Sequence, residues 1–242
     1  METAPSDWTP MHRLARAQSG LGRWSLNLRV SVRRTYWRWV QAGGPAAKRT
    51  FDVVASAAFL ALFSPLYLLI AALVWLEDGH PALFIQTRVG RYGRPFRMYK
   101  FRSMCPNAEA RLAEVLALNH HKQGVTFKTR NDPRLTRVGR WLRKFSLDEL
   151  PQVWNVLRGD MSWVGPRPPL PREVARYSPM DRRRLAAKPG ITCLWQIGGR
   201  SDIDFSGQVE LDVRYIETCD FWEDLRIMVK TLPAVAGGKG AC

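Results

Sequence analysis

A chain of 242 residues with 46% hydrophobic side chains is long enough to bury a sizeable core and too polar to be a polytopic membrane protein. Its formal net charge of +16 implies an anionic partner: nucleic acid, an anionic lipid surface or a phosphorylated substrate. The four cysteines form no C-x-x-C pair and show no metal-ligand spacing, so reduced thiols in the cytosol are expected.

Residues 1–45 are predicted to form a basic tail with interleaved tryptophans, and a Gly-Gly-Pro sequence marks its end. No apolar core followed by a small-residue cleavage site is present, which argues against a signal peptide. Arginine together with tryptophan indicates a segment at the membrane surface, but a disordered basic arm explains the same composition. The sequence leaves both interpretations open.

An uncharged apolar segment covers residues 53–76 and is long enough to cross a bilayer, which takes roughly 20 apolar residues. Ser64 and Pro65 stand at its middle, where a proline removes a backbone hydrogen bond and bends a helix. Basic residues flank the segment on both sides, so the positive-inside rule selects no orientation. We therefore expect a re-entrant hairpin bent at this pair, with both ends on the cytoplasmic side. A single span is the alternative.

Two β-rich stretches between Leu83 and Met104 predict a strand pair, with Gly90 and Gly93 in the turn between them. Near the C-terminus, residues 209–217 and 221–232 show apolar residues at helical spacing and are predicted to form two amphipathic helices.

Asp132 followed by Pro133 predicts the start of a helix, because an acid at the cap and a proline at the first position favour one. Basic side chains crowd around the apolar face of this helix; they are Arg134, Arg137, Arg140, Arg143 and Lys144. Such a helix suits an anionic bilayer surface, although a nucleic-acid-binding helix has the same composition. Its end is expected to bring cations towards the acids that follow.

The most informative stretch is FSLDELPQVWNVLRGDMSWVGPRP. Asp148 and Glu149 precede a short helical pattern that ends at an Arg-Gly pair, and the rigid turn Gly165–Pro168 presents one arginine. Ser146 and Glu149 fit a capping box. Alternatively, the helix begins nearer Pro151, which lacks an N–H, and both acids lie in the preceding turn. In either case two acids facing an arginine on a stiff loop suit phosphate chemistry, and neighbouring cations are expected to favour their ionised forms.

From about Lys48 onwards the chain resembles the bacterial sugar transferases, monotopic enzymes that transfer a sugar phosphate to a polyprenyl phosphate. The shared motifs are KRTFDVV, the apolar segment with its Ser-Pro pair, KFRSM, NDPRLTRVGRWLRKFSLDELPQ, NVLRGDMSWVGPRP, KPGIT and GRSDIDF. One departure is Cys193, which stands where many members carry glycine. The resemblance implies an α+β monotopic membrane protein with a re-entrant helix hairpin, amphipathic interfacial helices and a small β-hairpin, in which residues 46–242 form the catalytic domain.

The resemblance also implies a reaction at the cytoplasmic face of the bacterial inner membrane. A hexose-1-phosphate would pass from a UDP-sugar to undecaprenyl phosphate, with release of UMP. Asp148 resembles the nucleophile that forms a covalent aspartyl sugar-phosphate, and Glu149 resembles a Mg²⁺ ligand. Phosphate oxygens would be bound by Arg143, Arg167, Arg200 and Lys100. Membrane lipid is expected as a partner and nucleic acid is not, while a homodimer is left open.

Two alternatives remain at this level. The same reaction with an N-acetylhexosamine donor is one, although GRSDIDF and the terminal GGKGAC favour a hexose-type member. A non-catalytic membrane-surface protein that binds anionic lipid or nucleic acid is the other. That alternative accounts for the charge, but it leaves the adjacent acids and the glycine- or proline-framed arginines without a role.

Overall fold

The computed structural model describes residues 20–79, 81–108, 110–111, 132–199 and 203–236, with side chains described from residue 44 to residue 233 within these ranges. The helices are α1 (Gly20–Asp78), α2 (Arg137–Lys144), α3 (Gln152–Arg158), α4 (Pro171–Val174), α5 (Leu194–Gly198), α6 (Phe205–Thr218) and α7 (Phe221–Ala236). The strands are β1 (Leu83–Val89), β2 (Pro95–Phe101), β3 (Ser162–Val164) and β4 (Gly190–Thr192), and 3-10 turns cover Arg91–Gly93, Leu147–Glu149 and Asp181–Ala186. The chain divides into two compact units, Met1–Lys48 and Arg49–Cys242.

The part of α1 from Gly44 to Asp78 is long and apolar enough to cross a membrane. Its backbone stays helical through Ser64 and Pro65, so the expected hairpin is not seen as two separate helices. The Ser64 hydroxyl donates to the Ala61 carbonyl oxygen at 2.9 Å, within the turn that precedes the proline. Every residue from 61 to 65 is exposed.

Residues on both sides of that exposed stretch belong to the second unit and contact its other elements. Arg49 donates to the carbonyl oxygens of Val156 and Leu157, at 2.6 and 2.8 Å, and so binds the C-terminal end of α3. At the far end, the Glu77 carboxylate accepts hydrogen bonds from the backbone N–H groups of Arg137 and Val138. Both ends of the apolar segment therefore contact one folded unit.

The predicted strand pair is confirmed. Strands β1 and β2 are antiparallel, with Leu83 opposite Phe101 and Val89 opposite Pro95. The two glycines lie in the connection as expected, since Gly90 precedes the 3-10 turn and Gly93 ends it. This hairpin places Lys100 near the end of β2, next to the buried side chain of Phe101.

The predicted start of the basic helix at Asp132 is wrong, because α2 begins at Arg137. Asp132 instead accepts hydrogen bonds from the Arg134 backbone N–H and guanidinium, at 3.0 and 2.8 Å, and both side chains are buried. Because this carboxylate is occupied, Thr136 caps the helix, and its hydroxyl oxygen accepts from the Gly139 N–H at 2.9 Å.

A second, two-stranded sheet was not predicted. Strands β3 and β4 are parallel, with Ser162 opposite Gly190 and Val164 opposite Thr192. Two glycines allow the chain to come this close, because a Cβ on Gly190 would lie 2.1 Å from the Gly165 nitrogen. The sheet therefore joins the GPRP motif directly to the KPGIT motif.

The two C-terminal helices are confirmed, with longer bounds than expected. They pack on β3 through a core cluster in which Val164, Tyr215 and Ile227 are all buried. Beside this cluster, Arg184 and Asp212 form an ion pair whose side chains are almost fully buried. The desolvated charges are compensated because Arg184 also donates to the Tyr177 hydroxyl at 3.2 Å.

Candidate active site

A cavity of about 1710 Å³ collects the predicted site residues that the structure describes. Its charged lining includes Lys100, Arg143, Asp148, Glu149 and Arg167, together with Arg88. Arg200, the remaining predicted site residue, lies outside the described residues, and its place in the site stays a prediction. Residues from β1, β2, α2 and the loop after β3 thus meet at one cavity although they are far apart in sequence.

The two acids lie in a tight turn and not inside a helix. The acidic turn, Leu147–Glu149, is a 3-10 turn that precedes α3, which begins at Gln152 after Pro151. The predicted capping box is wrong: Ser146 makes no side-chain cap and has a φ of 54°, in the left-handed region. The alternative, with both acids before a helix that starts near Pro151, is confirmed.

The two carboxylates have different surroundings. Asp148 is 6% exposed, whereas Glu149 is partly exposed and accepts a 2.7 Å hydrogen bond from the Lys100 ammonium. Burial raises the pKa of Asp148, against the opposing charges of Lys100 and Arg143. Burial also acts on Glu149, but Lys100 and the nearby Arg167 outweigh it and hold its pKa below the usual range. The neighbouring cations favour the ionised forms of both acids, as expected, but at Asp148 burial outweighs them and the net shift of its pKa is upward.

Arg143 is placed by a close contact between α2 and the KFRSM motif. Its Nε donates to the Ser103 hydroxyl at 3.1 Å. The contact requires a glycine one turn earlier, because a Cβ on Gly139 would lie 2.0 Å from the Ser103 carbonyl oxygen. Arg143 is thereby held beside the acidic turn, where its charge acts on Asp148.

Arg167 lies on a loop that is braced by a buried acid. A carboxylate oxygen of Glu173 accepts from the Leu170 N–H at 2.7 Å, and the other lies 3.9 Å from the Arg167 guanidinium. Glu173 itself is 5% exposed. The sequence reasoning missed this acid, although a proline at the first position of α4 and an acid two residues later are a helix-start signal.

Arg88 is the second residue that the sequence reasoning missed. It is 8% exposed on β1, and its guanidinium donates to the Gln86 side-chain oxygen and, at 3.0 Å, to the Pro168 carbonyl oxygen. Burial, followed by the charge of Arg167, lowers its pKa to about 10, so it stays charged at neutral pH. Arg88 therefore fixes the Arg167 loop to the hairpin and adds a cation near Glu149.

The site combines an acid pair with several cations, and its unit carries a long apolar helix. Both features agree with the resemblance to the bacterial sugar transferases. Residues 44–238 match the family described as bacterial sugar transferase, and the chain belongs to that family. The predicted family, and with it the prediction of a transferase, is confirmed.

Curated relatives carry names that fit this assignment. The chain is 51% identical over 166 residues to "Galactosyl transferase CpsE" of Streptococcus agalactiae serotype III, covering 68% of this chain and 37% of that protein. It is 46% identical over 197 residues to "Undecaprenyl-phosphate galactose phosphotransferase" of Salmonella typhimurium, covering 80% of this chain and 41% of that protein.

A third relative is similar in length. The chain is 43% identical over 201 residues to "Exopolysaccharide production protein ExoY" of Rhizobium meliloti, covering 82% of this chain and 89% of that protein. The chain thus spans about two fifths of the first two relatives and most of the third. The matched region includes the whole described active-site cavity, because residues 44–238 contain all of its lining.

Proposed function

We propose that this protein transfers a hexose-1-phosphate from a UDP-hexose to undecaprenyl phosphate and releases UMP, as the first membrane step of exopolysaccharide assembly. The observation that carries the proposal is the buried Asp148 beside the Lys100–Glu149 ion pair, with Arg143 and Arg167 lining the same cavity. The names of the Salmonella and Rhizobium relatives support the acceptor and the polymer class. The cavity exceeds the roughly 300–1,000 Å³ of an ordinary small-molecule site, which suits two phosphorylated substrates.

In the proposed mechanism, a carboxylate oxygen of Asp148 attacks the phosphorus that carries the sugar. The bond from that phosphorus to the bridging oxygen breaks, and UMP leaves with the electron pair. An oxygen of undecaprenyl phosphate then attacks the same phosphorus, which breaks the acyl phosphate and restores the Asp148 carboxylate. Lys100 and Arg143 favour the ionised carboxylate against the effect of burial, and once ionised the buried Asp148 has little hydration to lose before it attacks.

The cations would have separate tasks in this mechanism. Arg143 and Arg167 are planar forks on rigid supports, and they would bind the phosphate oxygens in both steps. Lys100 holds the side chain of Glu149. Arg88 contributes its charge from behind the Arg167 loop. We keep Arg200 in the proposal as a further phosphate ligand on the strength of the resemblance.

The residues present fit a Mg²⁺ ion that is held jointly with the substrate. Within the described ranges, no group of three or more His, Cys, Asp or Glu side chains could hold a metal. Mg²⁺ usually keeps several waters and binds one or two carboxylates plus substrate phosphates, so Glu149 would suffice as its protein ligand. When bound, the ion would neutralise negative charge on the phosphate oxygens.

We also propose that α1 enters and leaves the cytoplasmic leaflet of the inner membrane on the same side. The proposal is supported by the contacts at the two ends of the apolar segment, where Arg49 binds the end of α3 and Glu77 binds the start of α2. It is supported as well by the exposed stretch at residues 61–65, which leaves the middle of the apolar segment free for lipid. If the apolar segment crossed the bilayer once, its two ends would lie on opposite sides of the membrane and could not both contact this unit.

The C-terminal helix is proposed to lie in the membrane interface beside α1. Trp222, Val229 and Leu232 of α7 are 73%, 58% and 71% exposed, so apolar side chains face away from the core. The ring of Phe221 packs edge-on against Phe51 of α1, with 5.6 Å between ring centroids. This exposed face is therefore continuous with the membrane helix and suits lipid.

The test of the reaction is a panel of radiolabelled UDP-sugars with purified protein and undecaprenyl phosphate. UMP release and a labelled polyprenyl product with UDP-galactose or UDP-glucose would support the proposal. Product only with an N-acetylhexosamine donor would select the remaining alternative. No product with any sugar donor, in protein that is folded, would reject the proposed function.

Topology is tested with single cysteines at Ala47 and Pro81, two exposed positions that bracket the apolar segment. The natural cysteines are first replaced, and intact cells are treated with an impermeant thiol reagent. The re-entrant arrangement predicts labelling of both positions only after permeabilisation. Labelling of either position in intact cells would contradict it.

A further inference from the structure

The hydroxyl of Tyr67 reaches from α1 to the chain that carries both site acids. It donates a 2.6 Å hydrogen bond to the carbonyl oxygen of Leu150, the residue directly after Glu149. Tyr67 lies two residues beyond Pro65, in the second half of the apolar segment. The bond joins residues 83 positions apart, so it is a direct contact between the membrane helix and the end of the acidic turn.

The ring of Tyr67 also contacts the opposite side of the site. It lies 5.8 Å, centroid to centroid, from Phe101, which follows Lys100 on β2. Tyr67 and Leu150 both pack against the buried cluster that contains Phe101. One side chain therefore touches the sequence neighbours of both partners in the Lys100–Glu149 ion pair.

The backbone hydrogen bonds within the acidic turn are long, although the Leu150 carbonyl also accepts from the Val153 N–H of α3 at 3.0 Å. The N–H of Glu149 bonds to the Ser146 carbonyl and that of Leu150 bonds to the Leu147 carbonyl, both at 3.3 Å, beyond the usual range for N–H···O bonds. Ser146 has a positive φ, which is unfavourable for a residue with a Cβ. Pro151 has no N–H to contribute. The Tyr67 bond is much shorter than either bond within the turn.

We propose that Tyr67 is a positioning residue of the transferase. It holds the acidic turn through the Leu150 carbonyl and keeps Asp148 and Glu149 in place for phosphoryl transfer. Tyr67 acts through the turn and does not touch the reacting atoms. The expected effect on turnover rests on the proposed function, whereas the expected effect on the turn rests on the contacts alone.

The test compares Tyr67→Phe with Tyr99→Phe in full-length protein in lipid nanodiscs. Tyr67→Phe keeps the ring that packs on Phe101 and removes only the hydroxyl. Tyr99→Phe is the matched control, because it removes a hydroxyl one residue from Lys100 whose partner, Arg158, lies 3.5 Å away at the surface. Hydrogen-exchange mass spectrometry of the peptide covering residues 145–154 measures how firmly the acidic turn is held. Steady-state kinetics with the accepted UDP-sugar measure kcat and KM.

Tyr67→Phe should speed amide exchange in that peptide and lower kcat roughly three- to tenfold, the loss expected for one hydrogen bond, while KM for the UDP-sugar stays within about twofold. Tyr99→Phe should change neither reading. An unchanged amide exchange rate in Tyr67→Phe would overturn the claim that the Tyr67 hydroxyl holds the acidic turn. Faster exchange with unchanged kcat would overturn the positioning role. A lower melting temperature with unchanged kcat would also overturn it, because a purely structural residue behaves in that way.

The two proposals fail in distinguishable ways. If the wild-type protein releases no UMP from any sugar donor, the proposed function fails, and the exchange comparison still decides whether Tyr67 holds the turn. If Tyr67→Phe is poorly folded, Tyr67→Trp provides the second variant, since it retains an aromatic ring but places its donor differently. Wild-type kcat in a folded Tyr67→Trp protein would overturn the proposal, and a three- to tenfold loss of kcat together with faster exchange of the 145–154 peptide would support it.

Discussion

Gly139→Ala is predicted to remove most of the activity while leaving the protein folded. The new Cβ would lie 2.0 Å from the Ser103 carbonyl oxygen, whereas real Cβ contacts essentially never fall below 3.0 Å. Helix α2 would have to withdraw by about 1 Å to relieve this clash. The bond from Arg143 Nε to the Ser103 hydroxyl, now 3.1 Å, would then exceed hydrogen-bonding distance.

A displacement of about 1 Å in a positioning group lowers turnover by roughly 100-fold. Overpacking costs about 1–3 kcal/mol of stability, and the better helix propensity of alanine returns about 1 kcal/mol. The free energy of unfolding should therefore change little compared with the loss of activity.

The assay is UMP release by purified Gly139→Ala, with the melting temperature measured on the same sample. Gly44→Ala is the matched control, since Gly44 also lies in a helix and a Cβ there would meet nothing within 4 Å. The control should keep wild-type turnover. Wild-type turnover in Gly139→Ala as well would refute the argument that this close approach places Arg143.

Four further substitutions address stability and the site. Asp212→Asn should lower the free energy of unfolding by about 3–5 kcal/mol, because it leaves the buried Arg184 charge uncompensated, whereas Glu217→Gln in an exposed ion pair should cost less than about 1 kcal/mol. Equal costs in denaturant titrations would contradict the burial argument. Arg167→Lys should lose about 2–4 kcal/mol of transition-state stabilisation in kcat/KM, since lysine offers no bidentate fork. Glu149→Gln should be severely impaired and partly restored by raised Mg²⁺ concentration; a defect independent of Mg²⁺ would remove Glu149 as its ligand.

The parts of the fold that were predictable from sequence are set by neighbouring residues. The β1–β2 hairpin follows from two β-rich stretches around glycines, and all of its cross-strand pairs lie within 19 residues. Helix α3 ends where expected because Gly159 adopts a φ of 94°, which the Arg-Gly pair signalled. In both places the backbone preference and the contact partner lie within the same short stretch.

Other features depend on partners that no local pattern reveals. The β3–β4 pairing joins two three-residue segments 28 positions apart, too short for a periodicity to appear. The helix start at Asp132 was misplaced because a residue two positions later, Arg134, takes the carboxylate away from its cap role. A pattern of residue types does not show which of two local partners a side chain will choose.

The site itself was predicted mostly through the resemblance. Lys100 and Glu149 lie 49 positions apart, and only the family motifs connected them. Arg88 and Glu173 were missed because their importance comes from burial against the Arg167 loop. The same limit explains why the upward shift of the Asp148 pKa was not foreseen, since neighbouring cations are visible in the sequence and burial is not.

The most direct test of the central claim is mass spectrometry of the enzyme quenched after incubation with the accepted UDP-hexose and Mg²⁺, without undecaprenyl phosphate. The covalent mechanism predicts release of UMP and a hexose-phosphate adduct on the peptide that contains Asp148. Asp148→Asn, which is nearly isosteric, should give neither. Absence of both UMP and adduct from wild-type protein that turns over when acceptor is added would contradict a covalent intermediate on Asp148 and indicate direct transfer between the two substrates.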